Sequence, residues 1–160
     1  MNDAHLHMVV NHFPIIGTIL GLGILIFGLS FKNNSVQNTA YCLFVISAIF
    51  GAISMGTGEG AEEMVENMPN VGKRIIHDHE ELAEKFAAIL YFLGVISLVG
   101  LYLNIKNNTK AKLISFLAVT IAIVGVYLAT QTGTSGGEIR HTEIRAKVPN
   151  IGTPKIILMK

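Results

Sequence analysis

The sequence predicts an all-α membrane protein whose four spanning helices form an antiparallel, up-down-up-down bundle. Hydrophobic residues make up 51% of the 160 residues, and charged residues make up only 14%. The apolar residues are gathered in four stretches, at about 13–31, 40–57, 86–105 and 113–130, and none of these stretches contains a charge. A helix needs roughly 20 apolar residues to cross a bilayer, and helix is the state in which such a segment satisfies its own backbone polar groups. Four such segments predict a bundle embedded in lipid.

The first span is predicted to begin at a proline. Pro14 stands in the first turn, where its missing N–H is tolerated, and it disfavours helix at Phe13. The preceding segment at 5–12 is therefore expected to be a separate short helix or turn, or a kinked extension of the span. Gly17 and Gly21 have the spacing that lets membrane helices approach closely, so we expect tight packing against a neighbouring helix.

Both short connections between spans are polar and basic. Turns at 33–35 and 107–109 make antiparallel neighbours of the first and second spans, and of the third and fourth. The charged residues in or beside these turns are all lysines: Lys32, Lys106, Lys110 and Lys112. Basic residues in short loops mark the cytoplasmic side of a membrane protein. We therefore expect both termini and the long connection at 58–85 to lie on the outer side.

Two helices are expected to project beyond the membrane on the outer side. Residues 61–68 should continue the second helix until Asn67, Pro69 and Asn70 end it. From 73 to 105 the chain has strong helix formers and no breaker, which predicts one helix about 50 Å long. A bilayer needs less than this, so the outer end of the bundle should carry a polar cap.

The chain is expected to leave the bundle after the fourth span. The segment at 132–137 is rich in glycine and hydroxyl residues, which predicts a broken or loosened helix before 138–143. The segment at 146–160 contains two prolines and a glycine and is expected to be an extended tail. The predicted organisation is therefore a transmembrane domain over 1–145 and a C-terminal tail over 146–160.

Every histidine lies at a span end that is predicted to face the outer side. The six are His5, His7, His12, His77, His79 and His141. Imidazole is the commonest metal ligand in proteins and titrates near neutral pH, so this cluster is the strongest pointer to chemistry. Cys42 is the single cysteine, which excludes an internal disulfide and a Cys-x-x-Cys haem attachment site. The net charge of +1 argues against nucleic acid as a partner.

Haem b is the first cofactor hypothesis. Four-helix membrane cytochromes hold haem between helices through two axial histidines. An imidazole from the edge of the first span would face one from the head of the third, and arginines would pair with the propionates by bidentate hydrogen bonds. The candidate haem-binding residues are His12, His77, His79, His141, Arg74 and Arg140.

A carboxylate–histidine metal site is the second hypothesis. Di-iron bundles use Glu-x-x-His pairs, and Glu138 and His141 have this spacing. Three histidines with a carboxylate or water would also suit zinc or copper. The candidate ligands for iron, zinc or copper are His7, His12, Glu59, Glu63, His77, Glu81, Glu138 and His141. His5 and His7 are expected to be accessory residues.

The segment His-x4-His-Phe-Pro-Ile at 7–15 resembles the start of a bacterial family of small, predicted four-span membrane proteins of unknown function. Gly-Glu-Gly at 58–60, a histidine before the third span and Gly-Gly before His141 are also similar to that family, so the resemblance covers 5 to about 143. The chain departs from the family in Met8, where the family has proline, in His5, and in the second histidine at 77 and 79. The resemblance implies the four-span fold in a bacterial inner membrane, and it favours His12 among the candidate ligands.

A non-catalytic membrane subunit or scaffold is the third hypothesis. The sequence shows no nucleophile–base pair, no phosphate-binding loop and no charged residue within a span, so we do not expect an independent enzyme or an ion pump. We predict a redox-associated membrane protein that binds haem b between its helices near the outer surface. The expected partners are the lipid bilayer and a redox protein or larger complex on the outer side.

Overall fold

The computed structural model describes residues 2–69 and 71–145. In this part of the chain the backbone forms five α-helices and a short 3₁₀ turn, with no β-strand. The helices are α1 (Asp3–Val10), α2 (His12–Ser30), α3 (Asn34–Val65), α4 (Lys73–Ile105) and α5 (Ala111–Arg140), and the turn is Thr142–Ile144. The predicted all-α class is confirmed. The predicted helix end at Asn70 and the predicted tail at 146–160 lie outside the described residues.

The four long helices form the predicted antiparallel bundle. Each of them packs against the next one along the chain, and α5 also packs against α2, which closes the ring. The short helix α1 lies against α3. We call the end that carries α1, the end of α3, the start of α4 and the end of α5 the histidine end. The opposite end, with the turns at 31–33 and 106–110, is the lysine end.

The outer surface of the bundle is apolar. Four helical segments, one of them α1 and α2 taken together, are long and apolar enough to cross a membrane. Large apolar side chains such as Leu20, Val95 and Leu98 are more than half exposed, whereas polar residues such as Ser47 and Ser97 are buried. A soluble monomer rarely exposes so continuous an apolar surface. The helices therefore fit a lipid bilayer.

Glycines allow α2 to approach α3 closely. A Cβ atom added at Gly17 would collide with the Ser47 hydroxyl, and one added at Gly21 would collide with the Phe44 ring. Phe44 belongs to the main core cluster together with Leu25 and other fully buried residues. The close packing predicted from the spacing of the two glycines is thereby confirmed.

Helix bounds agree with the sequence in part. The separate short helix α1 and the single helix α4 are as predicted, whereas α2 includes Phe13 ahead of Pro14, and α3 ends at Val65, before the predicted end at 68. The predicted break at 132–137 is wrong, because α5 runs without interruption to Arg140. The hydroxyls of Thr134 and Ser135 donate to Thr130 O and Thr132 O at 2.9 and 3.1 Å. These side chains are therefore satisfied within the helix and do not compete with its backbone.

Candidate functional site

The structure divides the histidines into two classes. All six lie at the histidine end, but only His7 and His79 are partly buried and bonded to neighbouring helices. We call these two residues the inner histidine pair. The four histidines with exposed side chains are His5, His12, His77 and His141.

His7 is held against α3 by its ring nitrogen. Its Nδ1 lies 3.0 Å from Ser54 O and 3.3 Å from Thr57 Oγ1. A carbonyl only accepts hydrogen bonds, and the Thr57 hydroxyl is already donated to Ile53 O and Ser54 O, so Nδ1 carries the proton. In the neutral ring, Nε2 then carries the free lone pair. The ring thus has its metal-binding nitrogen available.

A glycine brings α1 close enough for this contact. A Cβ atom added at Gly60 would lie 2.7 Å from Asp3 Cβ, so α1 could not pack at its observed distance if another residue stood there. Two residues earlier, a Cβ atom added at Gly58 would lie 4.0 Å from His7 Cε1, which is ordinary contact. The His7 ring is thus set back against the backbone of α3.

His79 is held against α5 in the same manner. Its Nδ1 lies 2.9 Å from Ser135 Oγ, and the Ser135 hydroxyl is donated to Thr132 O at 3.1 Å. With the hydroxyl proton directed to Thr132 O, Ser135 Oγ accepts from Nδ1–H, and the neutral His79 ring then has its lone pair on Nε2. A Cβ atom added at Gly136 would lie 2.9 Å from His79 Cε1. This ring therefore rests on the bare backbone of α5.

The inner histidine pair lies in a buried polar layer at the end of the bundle. Burial lowers the pKa of His79 below its usual value, and the charge on His7 lowers this pKa further. Thr57, beside His7, and Thr132, whose carbonyl accepts from Ser135, are each 8% exposed, and Asn11 lies one helical turn from His7. Among the described residues, Thr132 Oγ1 and Asn11 Oδ1 are buried without a hydrogen-bond partner. Such groups cost roughly 1–3 kcal/mol each, so the layer is suited to a further polar or coordinating group.

The exposed histidines make local contacts. His12, the ligand that the sequence favoured, places Nδ1 3.2 Å from Met8 O on its own chain segment. His77 faces Glu80 and Glu81 at 3.8 and 3.4 Å along one face of α4. The structure therefore does not turn these two rings toward each other across the bundle.

His141 pairs with a carboxylate beyond the end of α5. Its Nδ1 lies 2.9 Å from Glu143 Oε1. The backbone N–H of Glu143 and the hydrogen bond from His141 lower the pKa of the Glu143 carboxyl below its usual value. The group is exposed, so this is a surface ion pair of small energetic weight.

The predicted arginines and carboxylates lie on the exposed surface or near it. Arg74 is 3.8 Å from Asp78, with its side chain 94% exposed, and Arg140 donates to Met68 Sδ at 2.8 Å. The carboxylates differ in exposure: Glu59, Glu63 and Glu81 are exposed, and Glu138 is half-buried. Across residues 2–69 and 71–145, no three His, Cys, Asp or Glu side chains come together to hold a metal ion.

One signal in the sequence separates His79 from His77. Ile76, Phe86 and Leu90 are buried on α4, and His79 falls on the same stripe at helical spacing, whereas His77 falls beside it. His7 has a weaker signal, since it lies three residues before the buried Val10 on a short helix. Its contact with α3 depends on how α1 docks, which the spacing within α1 does not reveal.

Comparison of the chain with protein-family models, with curated proteins and with solved structures finds no match.

Proposed function

We propose that the inner histidine pair binds haem b, with His7 and His79 as axial ligands, and that the protein carries electrons within a membrane. The observation that supports this most directly is the matched state of the two imidazoles. Each is partly buried, and each has Nδ1 within hydrogen-bond distance of an oxygen on a neighbouring helix; a bond donated from Nδ1 would leave the lone pair on Nε2. Metal-binding histidines in proteins use this arrangement, because the bond at one nitrogen orients the other.

The number of available ligands favours haem over a metal ion. A structural zinc site takes four protein ligands, and a catalytic one takes three. The described residues offer no group of three His, Cys, Asp or Glu side chains for this purpose. Haem iron needs only the two axial ligands from the protein, since the macrocycle provides the others. When bound, the haem would supply one-electron redox chemistry.

The residues around the pair also fit such a group. Both rings are set back against helix backbone, at Gly58 on α3 and at Gly136 on α5. The buried Thr132 Oγ1 and Asn11 Oδ1 lack partners within the described part of the chain. Arg74 and Arg140 lie at the same end of the bundle and would hold the propionates by bidentate hydrogen bonds.

The location proposed for the protein follows from its charges. We place it in a bacterial inner membrane with the lysine end in the cytoplasm, because the short basic turns obey the positive-inside rule. The haem would then lie near the outer surface, within reach of a redox partner there.

A visible spectrum of the purified protein tests the proposal. The full chain would be produced in haem-supplied cells, extracted in non-ionic detergent, and examined for a Soret band and for haem equimolar with protein. We expect His7→Gln and His79→Gln each to abolish the band. The matched controls His12→Gln and His77→Gln remove exposed imidazoles from the same end, and they should keep it.

Folding of the variants must be separated from loss of the ligand. Size-exclusion profiles and far-UV circular dichroism report the fold, and added imidazole should restore the band in His79→Gly if the ring alone is missing. The proposal would be contradicted if titration with haemin gave no protein-bound Soret band. It would also be contradicted if His12→Gln lost the band while His7→Gln and His79→Gln kept it. Stoichiometric iron, zinc or copper without a Soret band would replace haem with a metal-ion site.

A further inference from the structure

The two ends of the bundle differ completely in charge. All eleven carboxylate side chains, from Asp3 to Glu143, belong to the histidine end. The lysine end carries four cations and no carboxylate: Lys32, Lys106, Lys110 and Lys112. Within residues 2–69 and 71–145, none of these four lysines forms an ion pair. This end therefore has an uncompensated positive charge.

Two of these lysines line one pocket. The pocket has a volume of about 350 Å³ and lies between the α2–α3 turn and the α4–α5 turn. Lys32 lines it from one turn and Lys112 from the first turn of α5, together with Gln37, Asn104 and Asn108. The two lysines bring like charges to the lining of one cavity, and like charges repel each other. An anion bound between the two lysines would attract both of them.

The wall of the pocket is fixed by buried amides. Gln37 and Asn104 are only 6% and 4% exposed. Gln37 Nε2 donates to Gly28 O at 3.2 Å, and Gln37 Oε1 accepts from Ser115 Oγ at 3.3 Å. Asn104 Nδ2 donates to Asn38 Oδ1 at 3.0 Å. These bonds join α2, α3, α4 and α5, so the pocket is held in place before any ligand arrives.

The surface beside the pocket is apolar. Phe31, Ile105 and Leu113 each stand next to a lysine in the chain, and they are 67%, 63% and 68% exposed. A ligand with a negative head and hydrocarbon chains would contact both surfaces at once. Basic pockets between membrane helices on the cytoplasmic side are typical sites for anionic lipid headgroups.

We propose that the lysine-end pocket binds the phosphate group of an anionic phospholipid, with Lys32 and Lys112 contacting the phosphate. Free inorganic phosphate would present the same anionic group to the two lysines as the lipid does. The apolar residues at the rim favour the lipid as its source. This site is at the opposite end from the inner histidine pair and does not depend on the proposed haem.

Thermal unfolding of the full chain in non-ionic detergent tests the site. The protein would be titrated separately with phosphatidylglycerol in mixed micelles, with phosphatidylcholine, and with inorganic phosphate. A ligand that binds only the folded state raises Tm, by about 5–10 °C at about 100-fold excess over its Kd for a chain of this size. We expect this shift with phosphatidylglycerol and none with phosphatidylcholine.

A charge-matched pair of variants identifies the residues. Lys32→Gln/Lys112→Gln should lose the shift, whereas Lys106→Gln/Lys110→Gln removes the same charge from the same end and should keep it. An equal shift with inorganic phosphate would support an anion site that needs no lipid chains. If both double variants lost the Tm shift equally, the proposal would be overturned, because the lipid would then be attracted by the total charge of this end and not by the pocket. Absence of a shift with every anion would overturn it as well.

Discussion

The ring of His79 and the hydroxyl of Ser135 form a hydrogen bond of 2.9 Å between α4 and α5. Ser135 Oγ also lies 3.1 Å from Thr132 O, and when its proton is directed to that carbonyl it accepts from Nδ1–H of the ring. This pair of hydrogen bonds, from His79 to Ser135 and from Ser135 to Thr132, leaves the lone pair of His79 on Nε2. It also fixes the direction in which Nε2 points. The proposed axial ligand is therefore positioned by a residue 56 places away in the chain.

Ser135→Ala should weaken haem binding without unfolding the protein. The variant removes the acceptor for Nδ1–H, so His79 loses both its orientation and its tautomer preference. Loss of such a supporting bond typically lowers metal-site affinity by about 10–100-fold. Titration of the purified protein with haemin, followed at the Soret band, measures the change. Thr134→Ala is the matched control, since it deletes an exposed neighbouring hydroxyl that donates to Thr130 O. Equal weakening in both variants would argue against this pair of hydrogen bonds.

Gly136→Ala should abolish haem binding while the bundle stays folded. The new Cβ would stand 2.9 Å from His79 Cε1, and the flexible ring can move away more easily than the helix can. Helix propensity itself favours alanine by up to about 1 kcal/mol, so Tm should be unchanged or higher. Gly133→Ala has the same propensity gain, and its Cβ meets Ile15 Cδ1 at an ordinary 3.5 Å. The visible spectrum and the Tm are measured for both variants. A Soret band retained in Gly136→Ala would show that the ring need not rest on α5.

Membrane spans were predictable because they depend on a local property. A run of about 20 apolar residues has one stable state in lipid, whatever its neighbours do. The predicted stretches at 40–57, 86–105 and 113–130 therefore fall within helices of the structure, and the stretch at 13–31 does so except for Phe31, which follows the end of α2. The antiparallel pairing was predictable because the connections are short and polar; the turn predicted at 107–109 is observed, whereas the one predicted at 33–35 lies at 31–33, before α3 begins at Asn34.

Features that depend on helix docking were predicted less well. Glycine and hydroxyl residues at 132–137 would loosen an isolated helix, but in the bundle Gly136 receives the ring of His79 and Ser135 bonds to it. Tertiary contacts thus override the local propensity. Only one member of the inner histidine pair could be recognised from the sequence. His79 lies on a buried stripe of α4, whereas the position of His7 depends on the contact of Gly60 with Asp3.

Gly100→Ala should destabilise the bundle. A Cβ atom at this position would lie 2.5 Å from Cζ and 2.8 Å from the hydroxyl of Tyr41, which is fully buried. Overpacking of this kind costs about 1–3 kcal/mol. Gly23→Ala is the control, because its Cβ meets no atom within 4 Å. Thermal unfolding in detergent should show a lower Tm for Gly100→Ala only. Equal stability of the two variants would mean that the aromatic ring can shift without cost.

Tyr41→Phe should cost less than Gly100→Ala, although it removes a buried hydrogen bond. The Tyr41 hydroxyl donates to Ser115 Oγ at 2.8 Å, across the interface of α3 and α5. A hydrogen bond contributes about 0.5–1.5 kcal/mol net, and bonds between membrane helices average about 0.6 kcal/mol. The loss is small because Ser115 still donates, to Ala111 O at 3.0 Å and to Gln37 Oε1 at 3.3 Å.

A double-mutant cycle separates this bond from the packing of the ring. Tyr41→Phe, Ser115→Ala and the double variant would be compared by unfolding, with the 63% exposed Tyr127→Phe as a control for loss of a hydroxyl. A direct bond predicts a coupling energy of at least about 0.5 kcal/mol. Strictly additive effects would contradict it. Because Ser115 also bonds to Gln37 in the wall of the lysine-end pocket, Ser115→Ala should further reduce the Tm shift caused by phosphatidylglycerol, whereas Tyr127→Phe should not.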